Sequence, residues 1–516
     1  MNLARARKEW GTQMYSNGYI CRNPHKNNVM HHYDMNLCYI DELLWHLQWT
    51  GDTAYARQIW PVIESSLAWE KRNFDPDDDG LYDAYCCIWA SDALYYNSGA
   101  VTHSSAYNYR ANSLAAEIAD IIGNDSAPYR EEAEKILSAM NSTLWMDDKG
   151  TWAEFKDRMG NGTLHTHPGL WTIYHAIDGG TASAEQAYKA TRYIDANIPH
   201  NKVDAEGLHD DIGYEVVSTT DWMPYAWSIN NVAFAEIYNT ALAYWQAGRA
   251  DEAFRLMKSA MMDGMFIGNS PGNIGQISHY DAARGECYRD FADPVGVMSR
   301  AVVEGLFGFS PELLSRRITL RPGFPSDWSN AAIEHPDFSL TFTTDGASKD
   351  IYTLQLNESM AIKTDSLRLV LPVRFEEESV WVNGKKVDHM VTDKGTPYQA
   401  LTATVPTGGS DRLELEVKHS GDKVDVEESP AERFHDIPEI LAVNPVDGRS
   451  YPLDISSGLN DNVTAIFHNR YESPRSPYTT LQLPVNGIGE WCHPKDSARI
   501  DDAYLRGIGS ITISRD

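Results

Sequence analysis

The amino-acid sequence predicts a mainly α protein: a toroid of helical hairpins, followed by a β-sandwich and a small β-rich C-terminal unit. Two observations lead to this fold class. Up to about residue 310, apolar residues recur with the helical period, in segments that lie roughly 20 to 40 residues apart. Beyond that point, short segments alternate apolar and polar residues with period two and are separated by turn residues.

About ten helical segments make up the first part of the chain. They cover residues 1–15, 36–49, 53–72, 105–123, 127–145, 168–178, 183–197, 227–247, 250–264 and 292–308. Asp52 or Thr53 is expected as an N-terminal cap, and Gly123 as a C-terminal one. Short turns, such as 50–52 and 247–251, alternate with long connections. This alternation favours hairpins arranged in a ring, with the long loops together at one end; an open solenoid is the alternative.

The long connections carry the residues that suit a binding site. They are residues 20–35, 74–104, 145–168, 200–227 and 265–292, and they are rich in Trp, His and Asp. The stretch 74–110 combines carboxylates with indole and phenol rings, which a carbohydrate site needs for acid–base chemistry and for stacking on sugar faces. Within it, Asp77, Asp78 and Asp79 are also compatible with a solvated turn or a calcium loop.

The change of period divides the chain into three predicted domains. They are 1–312, the helical domain; 313–422, the β-sandwich; and 436–516, a small and incomplete-looking β-rich unit. Strands are expected in DFSLTFTT, IYTLQL, LRLVLPV, SVWVNGKKV and RLELEVK of the sandwich, and in TAIFHNRY and SITISRD of the last unit. The charged stretch 421–433 is predicted to be a loose linker.

Net charge, aromatic content and cysteine spacing indicate which kinds of ligand and partner the protein can bind. The chain of 516 residues has a formal net charge of −29, which disfavours nucleic acid and an anionic membrane as partners. Its 15 Trp and 27 Tyr suit sugar binding, although a large barrel also buries many aromatic rings. The six cysteines show neither a CxxC pair nor zinc spacing, so we expect no metal centre, no cofactor and no disulfide scaffold.

The start of the chain gives no targeting signal. No segment reaches the length of a transmembrane helix, and residues 1–15 lack the apolar core of a signal peptide. The helical pattern is already under way at residue 1, which is compatible with a fragment whose export signal and first domain lie upstream.

Four stretches of the sequence resemble the six-hairpin glycosidases. WTGDTAYARQIWPVI is similar to a helical hairpin of these enzymes, and CIWASDALYYNSG to the loop that holds their general acid. GECYRDFADPVGVMSRAVVEGLFG is similar to the loop that holds the general base before the last barrel helix, and LFGFSPELLSRRITLRPGFPSDW to the crossover into a β-sandwich. The similarity extends over about residues 20–420 and points to the α-L-rhamnosidases and to the processing α-glucosidases and trehalases.

This resemblance implies an (α/α)6 barrel and a hydrolase that cleaves a glycosidic bond in an oligo- or polysaccharide, in the periplasm or outside the cell. The block WEKRNFDPDDDGLYDAY also resembles a bacterial polysaccharide-utilisation family without an assigned activity. The chain departs from the glycosidase pattern in having WASD in place of GWD and a short 265–292 loop. These departures concern individual site residues, not the architecture.

By the resemblance, Asp92 maps onto the general acid and Glu286 onto the general base of an inverting mechanism. The neighbours of Asp92 agree with this role, because apolar rings such as those of Trp89 and Tyr95 raise the pKa of a carboxyl group beside them. Both residues have an ordinary structural alternative. It is an Asx turn or helix cap for Asp92, and a salt bridge with a neighbouring arginine for Glu286.

Other residues compete for these roles or join them. Four carboxylates are rivals for the acid: Asp210, Asp211, Glu215 and Asp221. Candidates for substrate binding lie in the long loops and at the helix starts that follow them: His31, His32, Asp34, Trp89, Tyr95, His103, Tyr107, Arg110, Asp211, Glu215, Trp222 and Trp227. For each of them, capping or core packing is the structural alternative. His103 and Tyr107 are four residues apart and share one helix face.

Two further functions fit the same residues. A polysaccharide lyase would use His103 as base, Tyr107 as acid and Arg110 to neutralise a uronate carboxylate. A non-catalytic glycan-binding protein would keep the aromatic rings without a working pair of carboxyl groups. The ultraviolet absorbance of an unsaturated uronate identifies a lyase, and binding without turnover identifies a glycan-binding protein.

Overall fold

The structure is a computed structural model. It describes residues 34–83, 99–157, 162, 164–203, 213–221, 232–267, 279–281, 286–288, 293–434, 440–443, 450–453, 463–467, 479–483 and 512–515. For residues 34–35, 157, 265–267, 279–281, 286–288 and all those from 440 onward, only the backbone is described.

The first part of the chain is helical, as predicted. The helices are α1 (Asp34–Thr50), α2 (Thr53–Phe74), α3 (Thr102–Ile122), α4 (Ala127–Ala139), α5 (Leu170–Asp178), α6 (Ala184–Asn197), α7 (Phe234–Gln246), α8 (Ala250–Met261) and α9 (Asp293–Arg300). Three of them continue into a π-helical turn, at Met140–Leu144, Met262–Ile267 and Ala301–Leu306. The predicted segment 1–15 lies outside the described residues.

Local capping explains several of the helix ends. The Asp52 side chain accepts a hydrogen bond of 2.9 Å from the Tyr55 backbone N–H and so begins α2. Gly123 ends α3 with a φ of 84°, a left-handed conformation that glycine adopts without a Cβ clash. Ser183 and Gln186 form a reciprocal capping box at the start of α6. The caps expected at Asp52 and Gly123 are therefore confirmed.

Short antiparallel strand pairs lie in the long connections. They are formed by β1 (Gly99–Val101) with β4 (Phe155–Asp157), β2 (Trp145–Met146) with β3 (Thr151–Trp152), β5 (His200–Lys202) with β6 (Glu215–Val217), and β7 (His279–Asp281) with β8 (Glu286–Tyr288). The connections that precede the odd-numbered helices are thus partly ordered by backbone pairing.

The odd-numbered helices form a continuous row. Helix α1 packs on α3, α3 on α5, α5 on α7 and α7 on α9. At the other end of the row, the Trp45 indole N–H of α1 donates a 2.7 Å hydrogen bond to Glu304, in the π-helical turn after α9. The even-numbered helices pack on their neighbours in sequence, as α2 does on α3 and α8 on α7.

The second part is built from strands, which confirms the predicted change of period. The strands are β9 (Phe309–Glu312), β10 (Arg317–Leu320), β11 (Asn330–Glu334), β12 (Phe338–Thr344), β13 (Lys349–Leu356), β14 (Ser366–Pro372), β15 (Phe375–Val382), β16 (Lys385–Val387), β17 (Met390–Thr392), β18 (Ala400–Pro406) and β19 (Arg412–Lys423). A short helix, α10 (Glu358–Ile362), follows β13.

These strands form two sheets. One has the order β17-β18-β14-β10-β9 and the other the order β11-β12-β13-β19-β15-β16. All pairs are antiparallel except β10 with β14. Alternate residues of the strands are buried, such as Leu367 in the first sheet and Leu354 in the second, and both belong to one apolar core. This arrangement is the expected sandwich.

The helices and the sandwich share that core and are joined by polar contacts. The Lys363 ammonium donates to the Thr50 carbonyl at 2.7 Å, and the Trp49 indole N–H to the Asp337 carboxylate at 3.2 Å. Gly308 lies at the crossover with a φ of 64°, and a Cβ on it would come within 1.9 Å of the Arg321 carbonyl oxygen. Only glycine fits at that position.

The charged stretch after the sandwich is bound to the helices rather than loose. Glu428 pairs with Arg192 at 2.5 Å and with Arg249 at 3.1 Å. The Asn197 side chain then donates to the Glu432 carbonyl and accepts from the Phe434 backbone N–H. The prediction of a loose linker is therefore wrong for residues 428–434, because its charges meet complementary groups on α6 and at the start of α8.

The last part of the chain contributes short strands. They are β20 (Ile440–Val443), β21 (Ser450–Leu453), β22 (Val463–Phe467), β23 (Thr479–Leu483) and β24 (Thr512–Arg515). The strands expected in TAIFHNRY and SITISRD are thus present as β22 and β24. Within the described ranges, no helix has both the length and the apolar character that crossing a membrane requires.

Removing the Glu428 charge is expected to release the linker. In Glu428→Gln, trypsin should cleave after Arg433 several-fold faster than in the wild type, because the ion pairs to Arg192 and Arg249 hold this stretch on the helices. Time-resolved mass spectrometry of the fragments measures the rate. The matched control is Glu427→Gln, whose side chain is exposed. Equal cleavage rates in the two variants would show that these ion pairs do not restrain the linker.

Candidate functional site

The centre of the row of odd-numbered helices is filled by a polar group of residues, which we call the central network. Its members are Asp41 of α1, Arg110 of α3, Asp178 of α5, Gln246 of α7, Arg300 of α9, and Glu304 in the turn after α9. Each odd-numbered helix therefore contributes at least one member. All lie towards the middle or the C-terminal end of their helices.

Asp178 is the hub of the central network. Its carboxylate accepts hydrogen bonds from Arg110 at 2.8 Å, from both terminal nitrogens of Arg300 at 2.8 and 2.9 Å, and from the Gln246 amide at 2.8 Å. Arg110 also pairs with Asp41 at 3.0 Å, and Arg300 with Glu304 at 2.8 Å. Burial opposes the charge on Asp178, but the two guanidinium groups hold its pKa far below the ordinary value.

One to three helical turns before the central network, a second set of titratable groups lies on helices α1, α3, α5 and α7. We call it the upper layer: Cys38, His103, Tyr107, Tyr174, His175 and Glu236. Tyr107 precedes Arg110 by three residues and His175 precedes Asp178 by three, so each pair shares one helix face. The upper layer is therefore nearer to the long connections that precede the odd-numbered helices.

The imidazoles of the upper layer are neutral. Burial lowers the pKa of His175 to about 4, and burial together with His175 lowers that of His103 well below its ordinary value. The His175 Nδ1 lies 2.7 Å from the Trp171 carbonyl oxygen, so it carries the proton. Its Nε2 therefore accepts the 2.7 Å hydrogen bond from the Tyr107 hydroxyl.

Glu236 is a protonated carboxyl group at neutral pH. Burial raises its pKa to about 8; the hydrogen bond from Tyr174 opposes this rise, and the charge of Asp293 at the start of α9 adds to it. The Tyr174 hydroxyl donates a 2.6 Å hydrogen bond to it. A second buried carboxyl group, that of Asp263 in the turn after α8, has its pKa raised to about 6 by burial. This end of the helices thus collects acids with elevated pKa values, as proton donors in active sites have.

A buried histidine–carboxylate pair lies in the connections beside the upper layer. His167 Nδ1 is 2.8 Å from the Asp221 carboxylate, and both side chains are buried. The other carboxylate oxygen of Asp221 has no hydrogen-bond partner among the described residues. Nearby, Glu154 accepts hydrogen bonds from the Gly169 N–H, the Trp171 indole and the Thr172 hydroxyl, so it closes the N-terminal end of α5.

Most of the site residues expected from the sequence lie outside what the structure describes. The residues that are not described include the rival acid Asp210 and eight further candidates: Asp92, His31, His32, Trp89, Tyr95, Asp211, Trp222 and Trp227. For Asp34 in α1 and Glu286 in β8, only the backbone is described. Their assignments therefore stay predictions.

The described candidates fall into three groups. His103 and Tyr107 lie together in the upper layer, as their spacing predicts. Arg110 is committed to Asp41 and Asp178 in the central network, so its guanidinium has carboxylate partners within the protein. Glu215 is exposed on β6, opposite Lys202 of β5, whereas Asp221 is buried against His167. Of the described rivals for the acid, only Asp221 therefore lies in a protected, hydrogen-bonded setting.

Four groups of the upper layer are absent from the candidates predicted from the sequence: Cys38, Tyr174, His175 and Glu236. A signal for Glu236 was available, because a lone carboxyl group in the apolar run FAEIYN at a helix start must be buried and partnered. Its partner could not be found in the same way. Tyr174 lies on another helix, far away in sequence.

The acidic turn 75–79 brings three carboxylate groups close together. Asp75, Asp77 and Asp79 each have a carboxylate oxygen within 4.8 Å of the others. The same turn already engages a cation of the protein, since the Lys71 ammonium lies 2.6 Å from Asp75 and 2.7 Å from Asp78. The turn that the sequence predicts is thus present and forms ion pairs with Lys71, and its three clustered carboxylates leave the calcium loop as a prediction.

Comparison with known proteins gives similarity at the level of structure. No model of a protein family matches the chain, and no curated protein matches it. Solved structures that match include an α-L-rhamnosidase from Dictyoglumus thermophilum, with 12% identity and a TM-score of 0.48 over 80% of this chain and 43% of that one. Another is an α-L-rhamnosidase from Streptomyces avermitilis, with 13% identity and a TM-score of 0.47 over 80% of this chain and 36% of that one.

A third match is a GH63 mannosylglycerate hydrolase from Thermus thermophilus, with 11% identity and a TM-score of 0.41 over 57% of this chain and 86% of that one. These structures belong to the glycosidase groups that the sequence motifs resemble. The chain spans less than half the length of the two rhamnosidases. At this identity and TM-score, the similarity assigns neither an activity nor a substrate.

Breaking the hub of the central network is expected to be costly. Asp178→Asn should lower the free energy of unfolding by up to about 3–5 kcal/mol, because two partly buried guanidinium groups lose their shared carboxylate. Urea unfolding measures the change. The control is Asp120→Asn, which removes an exposed ion pair with Arg130 and should cost about 0–1 kcal/mol. Similar losses in both variants would show that the central network contributes no more than a surface pair.

The buried acid Glu236 is expected to make stability depend on pH. Since its folded pKa is about 8 and lies above the unfolded value of 4.5, the folded state holds the proton more tightly. Wild-type stability is therefore lost as pH rises from about 4.5 to about 8, by at most about 1.4 kcal/mol per pH unit from this group.

Glu236→Gln should lack that loss, so the difference in urea midpoint between variant and wild type should grow in favour of the variant as pH rises through this range. Asp251→Asn, at an exposed position on α8, is the control and should leave the pH dependence unchanged. Parallel pH profiles for wild type and Glu236→Gln would show that Glu236 is ionised in the fold.

Proposed function

We propose that the chain is a glycoside hydrolase whose site lies at the N-terminal ends of the odd-numbered helices. The observation that carries the proposal is the difference between the two ends of these helices. Towards the C-terminal ends, the central network is paired around Asp178, and although burial raises the pKa of its member Asp41, the charge of Arg110 opposes that rise. Towards the N-terminal ends, neutral imidazoles, tyrosines and carboxyl groups with raised pKa values face the long connections. Acid–base chemistry needs groups of the second kind.

We also propose that the helices close into the hairpin ring of an (α/α)6 toroid. The sequence of contacts from α1 to α9 supports this, as does the Trp45–Glu304 hydrogen bond that returns the row to α1. The central network supports it too, since five helices reach one carboxylate or its partners only if their axes surround a common centre. The proposal also includes three domains, which are the helical domain 1–312, the β-sandwich 313–422 and the small β-rich unit 436–516. It places the protein in the periplasm or outside the cell.

Asp92 and Glu286 are the proposed general acid and general base. Asp92 belongs to the connection that leads into β1 and α3, and Glu286 to the one that leads into α9, so both precede odd-numbered helices. An acid protonates the leaving oxygen of the sugar while a base activates water on the opposite face. In an inverting enzyme the two carboxyl groups are about 6.5–9.5 Å apart, and this is the separation that we propose. Asp221, held by His167, is the alternative acid.

The lyase alternative is weakened by the position of Arg110. A charge neutraliser must be free to pair with the carboxylate of the substrate, whereas Arg110 is already paired with Asp41 and Asp178. The hydroxyl of Tyr107, the acid in that alternative, donates to His175. No contact of the described residues favours a non-catalytic role over hydrolysis.

Hydrolysis by the two carboxyl groups is tested with variants. The chain should release reducing sugar from a member of a panel of plant and host glycan fragments, and Asp92→Asn and Glu286→Gln should each lower the rate about 10²–10⁴-fold with little change in binding. Asp120→Asn and Glu131→Gln, at exposed positions of α3 and α4, serve as controls. The anomer first released, followed by NMR, should be the inverted one.

Each outcome has a definite consequence. Near-wild-type turnover by Asp92→Asn together with loss of activity in Asp221→Asn would transfer the acid to Asp221. Release of the anomer of the substrate would replace inversion by retention. An unsaturated product that absorbs in the ultraviolet would identify a lyase. Binding of a fragment without turnover by the wild type would remove the catalytic proposal.

A further inference from the structure

A cavity lies between the sandwich and the turn that joins α7 to α8, at the C-terminal end of α7. Its volume is about 550 Å³, within the range of about 300–1,000 Å³ that is usual for ligand sites. It is lined by described residues of the turn 248–251, of the crossover 321–329 and of both sheets. The upper layer contributes none of its lining, so this cavity is separate from the proposed catalytic site.

The aromatic wall of the cavity is held rigidly. Trp328 packs edge-on against Phe254 of α8, with ring centroids 4.9 Å apart, and lies nearly parallel to Phe324. It is only partly buried, and among the described residues its indole N–H has no hydrogen-bond acceptor. Tyr398, from the loop before β18, lines the cavity as well. A fixed, partly open indole ring is the kind of surface on which the apolar face of a sugar stacks.

A charged pair without direct contact faces the same space. The Arg321 guanidinium lines the cavity and interacts electrostatically with Asp393, but no described residue accepts a hydrogen bond from it or forms an ion pair with it. Burial and the nearby Arg368 lower the pKa of Arg321, partly offset by Asp393. The Arg321 side chain is only partly buried, so its N–H groups are open to a ligand in the cavity. The gap between Arg321 and Asp393 is therefore a place for groups that both accept and donate.

The charge of the lining decides which ligand fits. Five carboxylates line the cavity, Asp251, Asp327, Asp345, Asp350 and Asp393, against three cations, Arg321, Arg374 and Lys423. Arg374 is further engaged by Asp350, at 3.5 Å. An anionic ligand would meet this net negative lining, and a cationic ligand would meet Arg321. A hydroxyl group does neither, because it accepts from a guanidinium and donates to a carboxylate.

We propose that this cavity is a non-catalytic binding site for a neutral saccharide. One sugar ring lies with its apolar face on Trp328, and neighbouring hydroxyl groups bridge Arg321 and Asp393. The site joins the helical domain to the sandwich, so a bound glycan would be held by the sandwich while the separate site of the helices acts on it. The proposal stands without the catalytic one, since none of its residues takes part in the proposed hydrolysis.

The test measures the binding of single neutral oligosaccharides to the whole chain, using maltotetraose, cellotetraose, xylotetraose and mannotetraose as probes. Isothermal titration gives the affinity, and saturation-transfer NMR identifies the sugar protons near the protein. Asp92→Asn is used as the background to prevent turnover. At least one probe should bind, and Arg321→Met and Trp328→Ala should each weaken that binding at least tenfold.

Matched controls are available on the sandwich. Arg412→Met and Trp381→Ala replace an exposed arginine and a partly exposed tryptophan outside the cavity, and both should leave the affinity unchanged. Trp328→Phe keeps an aromatic ring against Phe254 if the alanine variant fails to fold. Asp393→Asn is a further variant that keeps the loop, since asparagine tolerates the φ of 60° at this position.

The contrary results are equally definite. Absence of binding by all four probes in the folded chain would overturn the proposal. So would binding that Arg321→Met, Trp328→Phe and Asp393→Asn leave unchanged, because the sugar would then lie elsewhere. Tetragalacturonic acid is the anionic comparison. If tetragalacturonic acid binds more tightly than every neutral probe, and if Arg321→Met abolishes that binding, the ligand is anionic and the proposal of a neutral saccharide is refuted.

Discussion

The shared carboxylate of Asp178 is the interaction on which the helical domain depends. It receives hydrogen bonds from Arg110, Gln246 and Arg300, which belong to three other helices. Through Arg110 it is linked to Asp41, and through Arg300 to Glu304 and then to Trp45. A buried charge is stable only if it is paired and hydrogen-bonded, so each helix must keep its position relative to the others. The network therefore sets the arrangement of all the odd-numbered helices together.

The ion-paired central network and the titratable upper layer occupy different positions along the same helices. Three members of the upper layer lie one helical turn before members of the central network: Cys38 before Asp41, Tyr107 before Arg110, and His175 before Asp178. The ion-paired central network therefore supports a neighbouring layer in which the pKa of His175 is lowered and that of Glu236 is raised. The burial that these packed helices provide keeps Glu236 protonated and His175 neutral. Groups positioned in this way suit proton transfer at the long connections.

How far the sequence leads depends on whether the partner of a residue is local. The caps at Asp52 and Gly123 and the strands of the sandwich were predictable, because capping and alternation are read within a few residues. Arg110 was placed among sugar-binding residues, since nothing near it in sequence indicates Asp41 or Asp178. Glu428 looked like part of a solvated linker for the same reason, its partners being Arg192 and Arg249. The partners of a charged residue cannot be predicted from the sequence alone when they lie far away along the chain.

The most direct test of the account is the position of a bound substrate. A crystal structure of Asp92→Asn with the glycan fragment that the wild type hydrolyses would show which end of the helices is reactive. We expect the scissile bond to lie at the N-terminal ends of α3, α5 and α7, with Glu286 and the residue at position 92 on opposite faces of the sugar. A scissile bond held at the end of the helices that carries Asp178 and Gln246, away from both positions, would contradict it.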